Sequence, residues 1–345
     1  MGKNATETPF FSFVVPVYGT ERFLPRCLDS LFAQTDKDFE VIVVDDCSPG
    51  DCASALKPYE GRVRYIRHET NRSLFQARWT GAKAAVGAYV VPVDSDDYVM
   101  PELLERARRV IDAEQADVVP YWLEYDDGRR VYPHWARHPA ASMSNEAAVH
   151  ELAERKFSTT FAGKIVRRTA LLAAMSDLSD LRDAYVNTAE DFLVLLPVLL
   201  HSRKVSFLPY AGYRYFVNRE SISHAWRRLD GLKKSSAQLR TVVDAVSSVA
   251  ERVCGEERTR NDVRELTDGF QRFFVRNVLD GGGADLGALL AVLRETLHAG
   301  PVARELAQEV VALRASRAYR LGRALLAPLK MLMRHTGCVL LLVLV

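Results

Sequence analysis

From Phe10 onward, short apolar runs alternate with longer stretches whose apolar positions recur every three to four residues. Phe13–Val17, Phe39–Asp45, Arg62–Arg67 and Ala88–Val93 have the length and the β-branched or aromatic content of strands, while 23–34 and 74–86 have helical spacing. Strand and helix taken in turn predict an α/β fold, a mainly parallel sheet flanked by helices.

Past Pro101 the pattern predicts a helix to Glu114, a strand over Asp117–Leu123, a polar Asp-Asp-Gly turn into Arg130–Tyr132, and a loop over Pro133–Ser144. Helices are expected over 145–155 and 168–175. Another starts at Glu190-Asp191 and runs through Leu200, with Pro197 interrupting it. From about 225 to 327 the spacing is helical, broken at Gly281–Gly283 and at Gly300-Pro301. Three regions follow from this: an α/β domain over 8–224, a helical region over 225–312 and a distinct tail over 313–345.

In the tail Arg314, Arg317, Arg320 and Arg323 recur every third position, Lys330 and Arg334 follow, and no acidic residue occurs after Glu309. Leu313, Leu321, Leu325, Leu329 and Met333 supply an apolar side, and the chain ends in the run Val339–Val345. A basic amphipathic segment with an apolar end suits peripheral contact with an anionic membrane surface. The terminal run falls well short of the roughly 20 residues that span a bilayer. Intramolecular docking of a helix is the plainer alternative.

Composition narrows the class. A 345-residue chain with 48% hydrophobic and 26% charged residues is a folded globular protein. A formal net charge of +2 argues against a whole-chain nucleic-acid binder. Five cysteines, an odd number without metal-ligand spacing, suit a reducing compartment, and the N-terminus lacks signal-peptide character, so a cytoplasmic location is expected.

Chemistry concentrates where strands end. Ligands of open parallel sheets sit at the carboxyl ends of the strands, and both Asp45-Asp46 and Asp94-Ser95-Asp96-Asp97 fall there. Clustered carboxylates repel one another unless a cation compensates them, and their oxygens suit magnesium or manganese. An acidic turn capping the next helix would give the same letters. His134 and His138 stand four apart, but Pro133 and Pro139 flank them and speak against a helical metal pair. No glycine-rich phosphate loop follows the first strand, as a dinucleotide oxidoreductase or a nucleotidyltransferase requires, and the acidic cluster lacks the glycine and distal glutamate of an EF-hand.

The order of segments carries more information than any one of them. Val15–Tyr18, Leu28–Leu31 with Gln34, Phe39–Ser48, Asn71, Ala77-Arg78, Gly81, Ala85–Gly87 and Asp94–Asp97 are followed by Gly163–Arg168, Glu190–Phe192, Tyr213–Tyr215 and Ser221–Ser223. This succession resembles family 2 glycosyltransferases of the GT-A fold over about Phe10 to Ser223. The resemblance implies an inverting enzyme that moves a sugar from a nucleotide-sugar donor, a UDP-sugar by preference, with Mn2+ or Mg2+ as cofactor. The implied acceptor is a hydroxyl of a surface glycan, a teichoic-acid-like polymer or a lipid-linked oligosaccharide.

The resemblance also implies roles. Pro16, Tyr18 and one of Asp45 and Asp46 would hold the base, and Asn71 and Arg78 would complete the nucleotide pocket. Asp94, Ser95 and Asp96 would hold ribose and metal, with Asp94 and Asp96 as metal ligands and Asp97 supporting them. Asp191, next to Glu190, would be the general base, and Arg214 with Ser221 and Ser223 would close over the donor. The chain departs from the family at Gly19 and Trp79, where asparagine is usual, at Cys47, where glycine is usual, and at 71–73, where a glycine is missing. A catalytically inactive nucleotide-sugar-binding or membrane-associated scaffold is the alternative class, against which the intact Asp94, Asp96 and Asp191 speak.

Overall fold

A computed structural model describes residues 8–136, 138–218 and 229–280. The first four strands are β1 (Phe11–Val17), β2 (Phe39–Asp45), β3 (Arg64–Arg67) and β4 (Tyr89–Pro92). Between them lie α1 (Leu24–Phe32), α2 (Cys52–Leu56) and α3 (Leu74–Ala84). The strands pair in parallel in the order β3-β2-β1-β4, with Val17 beside Asp45 and Phe11 beside both Phe39 and Tyr89. This half follows the predicted alternation closely, because β1, β2 and β4 are largely buried on both faces and read as apolar runs, while β3 is the more exposed strand at the sheet edge.

The second half departs from simple alternation. After β5 (Tyr98–Val99) and α4 (Leu103–Glu114) comes β6 (Val118–Asp126), then β7 (Val131–Pro133) and β8 (Ser142–Ser144). The stretch expected to be wholly loop therefore holds β8, which pairs antiparallel with a later strand. Next come α5 (Asn145–Ala153), β9 (Lys164–Arg167), α6 (Arg168–Asp177) and α7 (Glu190–Leu200), then β10 (Lys204–Ser206) and β11 (Leu208–Phe216). β9 inserts antiparallel between β4 and β6. β11 runs beside β6 and folds over β5. Neither β9 nor β11 was expected from the pattern, since both are short or lined with polar residues.

Pro197 does not end α7, which continues to Leu200. Nearly every residue of α7 is buried, so packing outweighs the single ladder bond that proline removes near the last turn. Two apolar cores lie on opposite faces of the sheet: one under α3 and α5–α7, the other under α1, α2 and α4. Two further helices, α8 (Leu229–Val253) and α9 (Glu257–Asp280), follow. Val242, Val246, Val249 and Val263 join the first core. The compact unit accordingly reaches Phe270, and the boundary expected near residue 224 lies inside it. The expected tail over 313–345 and most of the region before it lie outside the described residues. Among the described residues no helix is long and apolar enough to cross a membrane.

Candidate functional site

The carboxyl ends of β1, β2 and β4 converge with the N-terminus of α7, and Arg78 joins them. Arg78 stands on α3, which packs so closely on β1 that a Cβ at Gly81 would lie 2.2 Å from Val14 Cγ1. Its guanidinium, only 3% exposed, donates to Asp94 Oδ1 at 2.9 Å, Asp191 Oδ1 at 2.5 Å and Glu190 Oε1 at 3.2 Å. Residues 16, 112 and 113 positions away in sequence are thereby gathered around one cation. The expectation that Arg78 completes a nucleotide pocket takes a different form here: it is an organiser of three acids.

Those acids are not equivalent. Burial, reinforced by the Asp191 charge and opposed by Arg78, pushes Glu190 up to about 8, so it is largely neutral at neutral pH. Asp191 is 29% exposed and keeps Oδ2 outside the Arg78 contact. Of the two residues expected to act in catalysis, Asp191 is the one that reaches solvent, and Glu190 backs it from the interior. Ala189, immediately before them, holds φ 56°, a left-handed conformation that costs alanine about 1–2 kcal/mol and turns the chain into the helix.

The acidic turn after β4 is pinned from β11. Tyr213 Oη accepts a hydrogen bond from Asp94 N at 3.1 Å and donates to Asp97 Oδ2 at 2.7 Å, and Phe216 N donates to Asp97 Oδ1 at 2.8 Å. Asp97 is buried, and burial followed by the Asp94 and Asp96 charges raises it well above the carboxylate range. It supports the turn rather than facing a ligand. Asp96 is raised first by burial and then by Asp94, while Asn218 at 3.4 Å offers it a weak donor. Arg26 donates to the Asp96 carbonyl at 2.5 Å, and Ser95 and Thr20 hydroxyls meet at 2.6 Å.

Asp94 and Asp96 fit a divalent ion. They present hard oxygen donors, and Asp96, raised first by burial and then by the Asp94 charge, would be relieved of the second effect by a bound cation. Among the described residues no group of three or more His, Cys, Asp or Glu side chains is poised to hold a metal. Magnesium sites built from one or two carboxylates need no third protein ligand when substrate phosphates complete the shell.

The Asp45-Asp46 pair is engaged by the protein itself. Asp45 accepts from Ser48 N at 2.7 Å, Tyr65 Oη at 2.7 Å and Arg67. Burial pushes its carboxyl up, but those donors outweigh it and leave it below its ordinary range. Asp46 accepts from Arg72 N at 2.8 Å and Ser73 N at 2.9 Å, and its Oδ1 lies 2.7 Å from His68 Nδ1. Both side chains are almost wholly buried, so the pair shapes the loops after β2 and β3. Asn71 reaches the Asp46 carbonyl at 3.4 Å, Pro16 is buried within β1, and Tyr18 projects outward at 44% exposure. Exposed Tyr185 lies within electrostatic reach of Asp46 and Tyr18.

The missing glycines have a geometric counterpart. Cys47 adopts φ 60° and Ser73 φ 97°, both in the region that glycine occupies without strain. Arg214 is not gathered into the acidic site: its guanidinium bonds Glu124 at 2.9 Å and the Ala211 carbonyl at 3.1 Å on the wall made by β6 and β11. Ser221 and Ser223 lie outside the described residues. His68, just after β3, was not singled out in the sequence, and Tyr213 within β11 and Lys164, the buried first residue of β9, fell in segments that carry the resemblance but had no role assigned.

The profile of the family described as Glycosyl transferase family 2 matches residues 12–173. An uncharacterized glycosyltransferase of Bacillus subtilis, EpsJ, is 30% identical over 220 residues, 62% of this chain and 63% of that protein. The poly(ribitol-phosphate) beta-N-acetylglucosaminyltransferase TarS of Staphylococcus aureus is 30% identical over 215 residues, 61% of this chain and 36% of TarS. The chain thus spans less than two thirds of the length of these relatives. The crystal structure of TarS residues 1–349 in complex with UDP-GlcNAc superposes with a TM-score of 0.64 at 23% identity, covering 83% of this chain and 81% of that one. A mannosyltransferase of Pyrobaculum calidifontis, PcManGT, in complex with GDP-Man and Mn2+ gives a TM-score of 0.51 at 17% identity, covering 97% and 89%.

Proposed function

The chain belongs to glycosyl transferase family 2, with the GT-A fold, and from that premise we propose that it is an inverting, metal-dependent glycosyltransferase. The observation that carries the reading is the Arg78 junction, which sets the carboxylate turn after β4 against an exposed Asp191 at the start of α7. Donor and acceptor chemistry need these two groups on opposite sides of one sugar carbon.

The proposed donor is a nucleotide sugar, a UDP-sugar by preference, a reading supported by the UDP-GlcNAc complex of TarS. Tyr18 and Tyr185 flank the base, the loops fixed by Asp45 and Asp46 shape its pocket, and Asp94 and Asp96 hold Mn2+ or Mg2+. When bound, the ion neutralises the charge that a nucleoside diphosphate carries as it leaves. Asp191 Oδ2 accepts the proton of the acceptor hydroxyl, whose oxygen attacks the anomeric carbon from the face opposite the diphosphate and inverts it. Arg78, by fixing Oδ1, leaves that second oxygen directed outward.

The acceptor we propose is a hydroxyl of a surface glycan, teichoic-acid-like polymer or lipid-linked oligosaccharide, supported by the relatives. With it goes a cytoplasmic, membrane-peripheral location through the basic tail. Asp191→Asn tests the assignment: it should keep donor binding and lower turnover by at least about 100-fold. Asp96→Asn should weaken metal-dependent donor binding itself. Near-normal turnover in both variants, measured as UDP release from UDP-GlcNAc, would refute the site.

A further inference from the structure

The helix that carries Asp191 begins without a cap of its own. Helices commonly open on a Ser, Thr, Asp or Asn whose side chain accepts from the first free amides. The residue before α7 is instead Ala189, which offers no such acceptor and holds φ 56°. A left-handed alanine persists only where its surroundings fix it, and here the surroundings are the contacts made by the connection from α6, residues 178–189.

One side of that connection is held by α3. Gln76 Nε2 donates to the carbonyls of Leu181 at 2.8 Å and Ala184 at 3.1 Å, and Leu74 N donates to Asn187 Oδ1 at 2.7 Å. Asn187 Nδ2 donates in turn to the hydroxyl of exposed Tyr185 at 3.2 Å. The other side is held by α8: the amides of Asn187 and Thr188 both donate to Gln238 Oε1, at 2.9 Å and 3.0 Å. Gln238 stands at helical spacing from Val242, Val246 and Val249, the face of α8 that enters the core under α7. On that apolar face a glutamine is explained by the two adjacent amides it meets. It also lies well past residues 12–173, the part of the chain that the family profile matches.

We propose that Gln238 is a positioning residue for Asp191. By accepting from the amides of Asn187 and Thr188 it fixes the left-handed turn at Ala189, and with it the first turn of α7, which Leu193 N closes on the Ala189 carbonyl at 3.0 Å. The Asp191 carboxyl is thereby kept at the Arg78 junction. The inference rests on the reading of Asp191 as the base, and it makes α8 a working part of the catalytic centre. The donor end of the connection is held separately, through Leu74, Asn187 and Tyr185.

Two variants of the full chain test this. Gln238→Met keeps the volume and removes the acceptor, while Gln238→Glu keeps an oxygen for both amides. Amide hydrogen exchange at Asn187, Thr188 and Leu193 should quicken about tenfold in Gln238→Met and stay no faster than wild type in Gln238→Glu. Release of UDP from UDP-GlcNAc should fall at least about tenfold in kcat in Gln238→Met, with the affinity for UDP and Mn2+ unchanged. Gln238→Glu should restore kcat, and Gln238→Met should add nothing in an Asp191→Asn background. Unmoved exchange at Leu193 would overturn the inference by showing that α3 and Arg78 alone fix the turn. Equal losses of UDP affinity and kcat would also overturn it, making Gln238 a general tether of the domain. Exchange that responds as expected in a protein that neither binds nor turns over UDP-GlcNAc would support the hold on the turn and count against the transferase reading alone.

Discussion

Glu190 and Asp191 are neighbours in sequence, yet their surroundings set them apart. One lies inside the Arg78 junction and holds its proton to about pH 8, while the other reaches solvent. A buried acid raised in this way stabilises the fold fully below the ordinary glutamate range, and the contribution disappears as pH rises through about 8. Glu190→Gln should therefore show a smaller loss of melting temperature than wild type between about pH 5 and 9; equal losses would mean that Glu190 does not hold its proton. At this scale the sequence was only partly legible. The acidic residues could be picked out because carboxylates after an apolar run are conspicuous, but which of them are buried depends on β11 and α3. Asp97 is taken by Tyr213, and Asp46 by His68 and two backbone amides. Those partners come from positions 22 to 116 residues away, and no local pattern announces them.

Among the elements, β1, β2, β4 and α3 were readable because their burial is continuous and their lengths ordinary. β9 was not, since four residues beginning and ending in a cation do not look like a strand between two others. β11 is long but mostly half-buried, whereas α7 was legible from Glu190 through Leu200 despite Pro197. The close approach of α3 to β1 depends on Gly81, where a Cβ would meet Val14 Cγ1 at 2.2 Å. Gly81→Ala should cost about 1–3 kcal/mol in chemical unfolding. It should also loosen the hold of Arg78 on Asp94 and Asp191, since that arginine lies on the same helix. An alanine variant as stable as wild type would show that the contact yields freely.

Over the whole molecule, the same sheet edge collects residues from both halves of the compact unit, and α8 packs on α7 so that the helix bearing Asp191 is braced from both sides. The basic tail over 313–345 carries a separate proposal, tested by flotation with anionic vesicles: the full chain should float in a salt-sensitive way and a chain ending at Glu309 should not. Equal flotation of both would remove the tail from the account. The acidic turn is put to the test by calorimetric titration of UDP into the protein with Mn2+, with Mg2+ and with chelator, repeated for Asp96→Asn. UDP binding should require a divalent ion and weaken at least about tenfold in the variant. UDP affinity unchanged by chelation and by the substitution, or no UDP binding under any of these conditions, would contradict the metal-dependent donor site.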